Sequence, residues 1–195
     1  MRVALLVIST IIGLTAPGVA CESYRNVPQD QAQKLIDILT SKNAKQLERI
    51  FAFGALVCAD MPALREYAMQ EGLKAASDSM TRGQVLLEIL MQKQFLRVDF
   101  IDSPTLPKSE RDWIAMYKGL RSYRINYKDR VQGCFSLNRG DMCEQNYQIR
   151  IKGTKIEIIS GQEFGQFDLQ PDNTLRGFVK PNDRAAPIPS KIELF

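Results

Sequence analysis

The sequence contains no histidine, and that absence removes whole classes of chemistry. Without imidazole there is no Ser-His-Asp or Cys-His nucleophilic machinery, no histidine-bearing zinc site and no imidazole pH switch. Only four cysteines occur, and no two form a Cys-x-x-Cys pair. A thioredoxin-type redox centre and a four-cysteine zinc site are therefore not expected. The chain also lacks a glycine-rich phosphate loop and a Ser-x-x-Lys dyad. Its net charge of +4 is too small to point to nucleic acid. No catalytic residue, metal ligand or cofactor is assigned.

What is present is an ordinary globular composition: 195 residues, 45% hydrophobic and 25% charged. The N-terminus is the strongest local signal. Met1 and Arg2 form a basic start, and Val3 to Leu14 is apolar apart from Ser9, Thr10 and Gly13. Pro17, Gly18 and Ala20 then supply a helix breaker and small side chains before Cys21. This order is that of a secretory signal peptide over residues 1–20. The run is shorter than the roughly 20 apolar residues a membrane-spanning helix needs. Export to the periplasm or the medium follows. A lipid anchor on Cys21 is the alternative, and membrane attachment is expected only in that case. Gly18 stands where a bacterial lipoprotein signal usually has Leu. An unlipidated chain also keeps four cysteines, an even number in an oxidising compartment.

The mature chain divides into a helical part, 21–93, and a mainly antiparallel β part, 94–195. Ala32, Leu35, Ile36 and Leu39 recur at helical spacing, and Leu47, Ile50, Phe51, Ala55 and Cys58 mark the core face of a second helix. Asp60 and Pro62 open a third, with Leu64, Ala68, Leu73 and Ala76. Thr81 caps a fourth, with Val85, Leu86, Ile89 and Leu90. Short connections favour antiparallel neighbours.

Near Phe95 the period changes to two, and Leu96, Val98 and Phe100 share one strand face. Ser109 and Asp112 resemble a capping box for a helix near 109–120 that carries Trp113, the single tryptophan, with Tyr117 and Leu120. From Ser122 onward strands and turns dominate. Gly153 occupies the first central position of a type II′ hairpin, which sets Ile151 opposite Ile156 and Ile149 opposite Ile158. Gln170 to Thr174 fits a three-residue loop with Asn173 in the left-handed position. That loop sets Leu169 opposite Leu175 and Phe167 opposite Gly177. The tail from Ile188 is expected at a sheet edge, because Pro189 cannot donate to a ladder. The fold class is α+β: N-terminal antiparallel helices packed with a C-terminal antiparallel meander of five to seven strands, forming one compact unit.

Cys134 and Cys143 flank eight residues, and a tight turn at Asn138 and Arg139 places them opposite each other across a hairpin. Cys21 and Cys58 are the second disulfide pair by default. For function, Arg124 and Lys128 fall by alternation on the face away from Tyr123, Ile125 and Tyr127, and Arg150 and Lys152 point away from the isoleucines. Together they form a candidate basic surface for an anionic envelope component or an acidic protein. The leading expectation is an exported, non-enzymatic envelope protein: a binding, adaptor or inhibitor module. The alternative is a carboxylate-dependent hydrolase of cell-wall or extracellular glycans, drawing on acids such as Glu66, Glu71, Asp99 and Asp102.

Overall fold

The structure is a computed structural model that describes residues 21–75 and 78–195. The leader at 1–20 and Ala76 lie outside the described residues. Among the described residues four complete helices come first: α1 (Gln29–Thr40), α2 (Gln46–Val57), α3 (Pro62–Ala75) and α4 (Ser79–Gln92). Strand β1 (Phe95–Phe100) and helix α5 (Lys108–Met116) precede the remaining strands. These are β2 (Leu120–Arg124), β3 (Tyr127–Asp129), β4 (Cys134–Ser136), β5 (Tyr147–Lys152), β6 (Lys155–Ser160), β7 (Glu163–Leu169), β8 (Thr174–Lys180) and β9 (Ile188–Glu193).

The nine strands form one antiparallel sheet in the order β2-β1-β9-β8-β7-β6-β5-β4-β3. The fold is α+β, with more strands than the five to seven expected. Its two edge strands are joined by only Ile125 and Asn126. The Ile125 amide donates to the Gln94 carbonyl beside β1, and the Asn126 amide donates to the Ser136 carbonyl of β4. One stretch of chain therefore runs from one edge strand to the other, and the curl of the sheet brings its two edges near each other at that step.

Both hairpins defined by turn chemistry have the expected register. Ile151 faces Ile156 and Ile149 faces Ile158 across a turn in which Gly153 has φ +60°. Leu169 faces Leu175 and Phe167 faces Gly177, with Asn173 at φ 63°. The apolar rows meet on the concave face. They join Leu56, Leu73, Leu86 and Leu90 from the helices in a single hydrophobic cluster.

Helix α4 lies against that concave face and is held at several points. Gly83 lies so close to the β5–β6 turn that an added Cβ would fall 2.8 Å from the Gly153 carbonyl oxygen. The Arg82 guanidinium donates to the Gln170 carbonyl in the β7–β8 loop. Lys128 donates to the Met91 carbonyl at 2.6 Å, where a cation completes the last turn of the helix.

Five details differ from the sequence reading, each for a tertiary reason. Strand β9 sits inside the sheet, between β8 and β1, although it contains Pro189. The Pro189 carbonyl accepts from Ile101, so its missing donor also points toward β1, just where the β1–β9 ladder stops. The ladder to β8 loses nothing. Helix α4 is capped by Asp78, whose carboxylate accepts from the Thr81 amide at 2.7 Å, while the Thr81 hydroxyl is buried and unpartnered. Helix α5 begins after Pro107 without a side-chain cap, because the Ser109 hydroxyl turns to Glu110. It ends at Met116, so Leu120 belongs to β2. In α2 the buried side chains are Arg49, Ala52, Phe53, Ala55 and Leu56, whereas Leu47 and Phe51 are exposed.

The fifth concerns the cysteines. Both disulfides exist, Cys21–Cys58 and Cys134–Cys143. Cys143, however, is not the cross-strand neighbour of Cys134. Arg150 holds that position, and Cys143 lies in the long loop between β4 and β5. The bond thus ties a loop back to a strand and does not brace a tight hairpin.

Candidate functional site

The four cationic residues chosen from sequence are not brought together on one face. Arg124, Arg150 and Lys152 do lie on the convex face. Lys128 pairs with Phe135, a core residue, and points inward to α4. The Ile125–Asn126 step, where the chain leaves β1 and joins β4, shifts the alternation by one and turns Lys128 inside. The convex face also carries acids among its bases: Lys152 pairs with Glu157 at 3.0 Å, Lys155 with Asp168 at 3.3 Å and Arg176 with Asp172 at 2.8 Å.

The carboxylates named for glycan hydrolysis are similarly dispersed. Glu71 pairs with Lys74 on α3, Glu66 accepts from Gln70 on the same helix, and Asp99 faces Lys191 across the β1–β9 ladder. Trp113 packs between Phe100 and Tyr117, with ring centroids 4.8 Å away on each side. Tyr117 in turn lies 4.5 Å under the Arg121 guanidinium. Arg121 and the Tyr123 hydroxyl both bind Glu163 of β7, at 3.1 and 3.2 Å. Burial raises the Tyr123 pKa, and the Glu163 charge adds to the effect. This row of aromatics and one ion pair spans the concave face, so its partners are already satisfied within the fold.

A different place has the form of a ligand site. Between α2, α4 and the Cys21–Cys58 bond lies a cavity of about 290 Å³. Tyr24, Ile50, Phe51, Gly54 and Val57 give it apolar walls, and Gln84, Glu88 and Arg130 form its polar side. Helix α2 explains the apolar walls. Its sequence from Ile50 to Val57 is apolar nearly all round, so contact with α1, α3 and α4 buries one stripe and leaves another over. The surplus stripe carries Leu47 and Phe51, exposed by 64% and 74%.

Glu88 is almost fully buried in the otherwise apolar run Val85–Leu90. It accepts from Arg130 and, at 3.3 Å, from Gln84. Burial raises its pKa, and the Arg130 charge opposes the shift without cancelling it. The pair is lopsided: the Glu88 side chain is 7% exposed and that of Arg130 is 46%. On the far side of Arg130 and Gln84 is a second recess, of about 360 Å³, bordered by Met80, Leu87 and Val131. Arg130 therefore stands between two adjoining hollows, with its side chain partly open to solvent.

Apolar concavities with a few converging polar groups are the usual form of small-ligand sites. Glu88 is the only carboxylate among the described residues lining the first cavity, so those residues do not assemble there the paired acids that glycosidic hydrolysis needs. Three or more His, Cys, Asp or Glu side chains placed to share a metal ion are not found among the described residues. Sequence reasoning missed Glu88, Arg130 and Gly54. The available signals were one acid inside an apolar helical run and a glycine in the interior of another helix. No protein-family profile matches the chain, and neither a curated protein nor a solved structure matches it.

Proposed function

We propose that this chain is an exported, non-enzymatic binding module of the cell envelope, released from its leader at Cys21, with the α2–α4 cavity as its ligand site. The two disulfides favour an oxidising, exported location, and no helix among the described residues is long and apolar enough to cross a membrane. The Cys21 sulfur is engaged with Cys58, and a lipid thioether would need the same atom. That supports the unlipidated form.

The observation that carries the binding assignment is the surplus apolar stripe of α2, exposed at Leu47 and Phe51 and continuous with the cavity wall. Water-exposed aromatic surface beside a concavity is costly unless something covers it. Buried acids, by contrast, are committed to internal partners: Glu88 to Arg130, Glu163 to Arg121, and Glu110 to the Ala186 amide.

Nile red, a neutral dye that brightens in apolar surroundings, tests this reading. The folded mature protein should enhance its emission, and Phe51→Ser should remove most of the enhancement at unchanged melting temperature. An equal response from Phe51→Ser would reject the site. The raised pKa of Glu88 favours one other reading, an acid in a hydrolase. Release of soluble sugar from purified cell wall, abolished by Glu88→Gln, would establish that reading in place of this one.

A further inference from the structure

Resting on the cavity being a binding site, we propose that its ligand is an anionic amphiphile: an unbranched apolar chain seated between α2 and α4, with a carboxylate head on Arg130. Three features of the structure lead to this class.

The first is Gly54. Of the helical glycines, Gly72 and Gly83 are required by close approach: an added Cβ would meet Val85 Cγ2 at 2.8 Å or the Gly153 carbonyl oxygen at 2.8 Å. At Gly54 no atom of the described residues lies within 4 Å of that position. A glycine inside a helix is unfavourable relative to alanine, and here no neighbour requires it. Gly54 lines the cavity, and the missing side chain keeps that wall open.

The second is the size and composition of the space. At about 290 Å³ it lies at the lower end of small-molecule sites, and apart from Gln84, Glu88 and Arg130 on one side its walls are aliphatic, aromatic and disulfide surface. A slender hydrocarbon chain fits such a slot, whereas a sugar would leave the hydroxyl groups that face the apolar walls without partners.

The third is the unequal exposure of the ion pair. An approaching head group meets Arg130 before Glu88, because the Arg130 side chain is 46% exposed and that of Glu88 only 7%. Among the described residues only Nη1 of Arg130 forms a hydrogen bond, to Glu88. The other donors remain available, and a planar guanidinium fork matches a carboxylate. A cationic head would have to displace Arg130 to reach Glu88, so the arrangement selects for the anion.

Calorimetric titration at neutral pH, with both disulfides intact, uses decanoate, decan-1-ol and decylammonium as probes. Decanoate should bind at least tenfold more tightly than either of the others. Arg130→Gln should weaken it at least tenfold. Glu88→Gln should strengthen it several-fold, because the guanidinium loses its competing carboxylate. Gly54→Leu should abolish binding with an unchanged or raised melting temperature, since leucine is the better helix former. Decylammonium binding as tightly as decanoate, or Glu88→Gln weakening decanoate, would overturn the anionic assignment while a surviving Nile red response left the cavity as a binding site. Decanoate affinity unchanged in Gly54→Leu would overturn this cavity as its seat, and Nile red emission unchanged in Phe51→Ser would reject the underlying reading as well.

Discussion

Gly177 lies so close to the backbone of Gln166 that a Cβ built on it would fall 1.8 Å from the Gln166 carbonyl oxygen. The same atom would be 2.8 Å from the Cα of Phe167, its cross-strand partner. The obstacle is main chain, which a rotamer change cannot move. Gly177→Ala should therefore destabilise by roughly 3 kcal/mol, the upper range of overpacking. Gly54→Ala, facing open space, should be neutral or stabilising by up to about 1 kcal/mol. Urea denaturation of the two variants checks the contrast. Equal effects would mean that the β7–β8 approach is looser than described.

Asp78 should matter more than its partly exposed position implies. It caps α4 through the Thr81 amide, accepts from Gln46 at 2.9 Å and pairs with the nearly buried Arg49 at 3.3 Å. Burial acts to raise its pKa, but the bonds from Thr81 and Gln46 and the Arg49 charge together hold it below the usual carboxylate value. Its folded pKa is depressed, so the stabilisation is present above the unfolded value near 3.8 and is lost as pH falls through the folded one. Asp78→Ala should cost about 2 kcal/mol at neutral pH, the upper end for lost caps, because Arg49 also loses its counter-charge. Asp78→Asn, which keeps the cap but not the charge, should cost clearly less. Equal losses in the two variants, measured by denaturation, would assign the effect to Arg49 and not to the cap.

The two disulfides close loops of very different length. Their sequence separations are 37 for Cys21–Cys58 and 9 for Cys134–Cys143. Chain-entropy reasoning gives roughly 4 kcal/mol for the longer loop and about 2.5 kcal/mol for the shorter. Paired Cys→Ser replacements should preserve that ranking in denaturation. Peptide mapping without reductant should recover the same two links, and a peptide joining Cys58 to Cys134 would contradict both.

What the chain discloses before folding is set by how local each determinant is. The Gly153 and Asn173 turns impose their registers within a few residues, so Ile151 opposite Ile156 and Leu169 opposite Leu175 are legible from spacing alone. The cysteine pairs are legible from parity and proximity. The inward turn of Lys128 is not, because it depends on the chain changing partners at Ile125–Asn126. Nor is the exposed face of α2, since an all-round apolar helix offers two stripes and only its neighbours decide between them. The interior place of β9 depends on where β1 stops, a long-range matter to which Pro189 gives a misleading local cue. The candidate site escapes for the same reason: Glu88 and Arg130 are 42 residues apart and meet only because helix α4 packs against the sheet.

That pair gives a pH signature of its own. The folded pKa of Glu88 is raised by burial, with Arg130 and Gln84 offsetting part of the shift. A carboxylate with a raised folded pKa binds its proton more tightly in the native state. Its contribution is thus most favourable below the unfolded value near 4.5 and is lost as pH rises through the folded one. Glu88→Gln is neutral at every pH, and the Arg130 it leaves behind is half-exposed and can be hydrated. The variant should therefore gain on the parent as pH rises from 4 to 7.5, and at neutral pH it should be at least as stable. Arg130→Gln has the opposite character, because it strands a buried charge. It should lose roughly 1–3 kcal/mol at neutral pH, less than the 3–5 typical of fully buried pairs because Arg130 is partly in water. Most of that loss should be recovered at pH 4, where Glu88 takes up its proton. Denaturation of the three proteins at the two pH values decides the matter. If Glu88→Gln instead loses stability relative to the parent between pH 4 and 7.5, the attraction of Arg130 outweighs burial, and Glu88 is an ordinary buried ion-pair carboxylate.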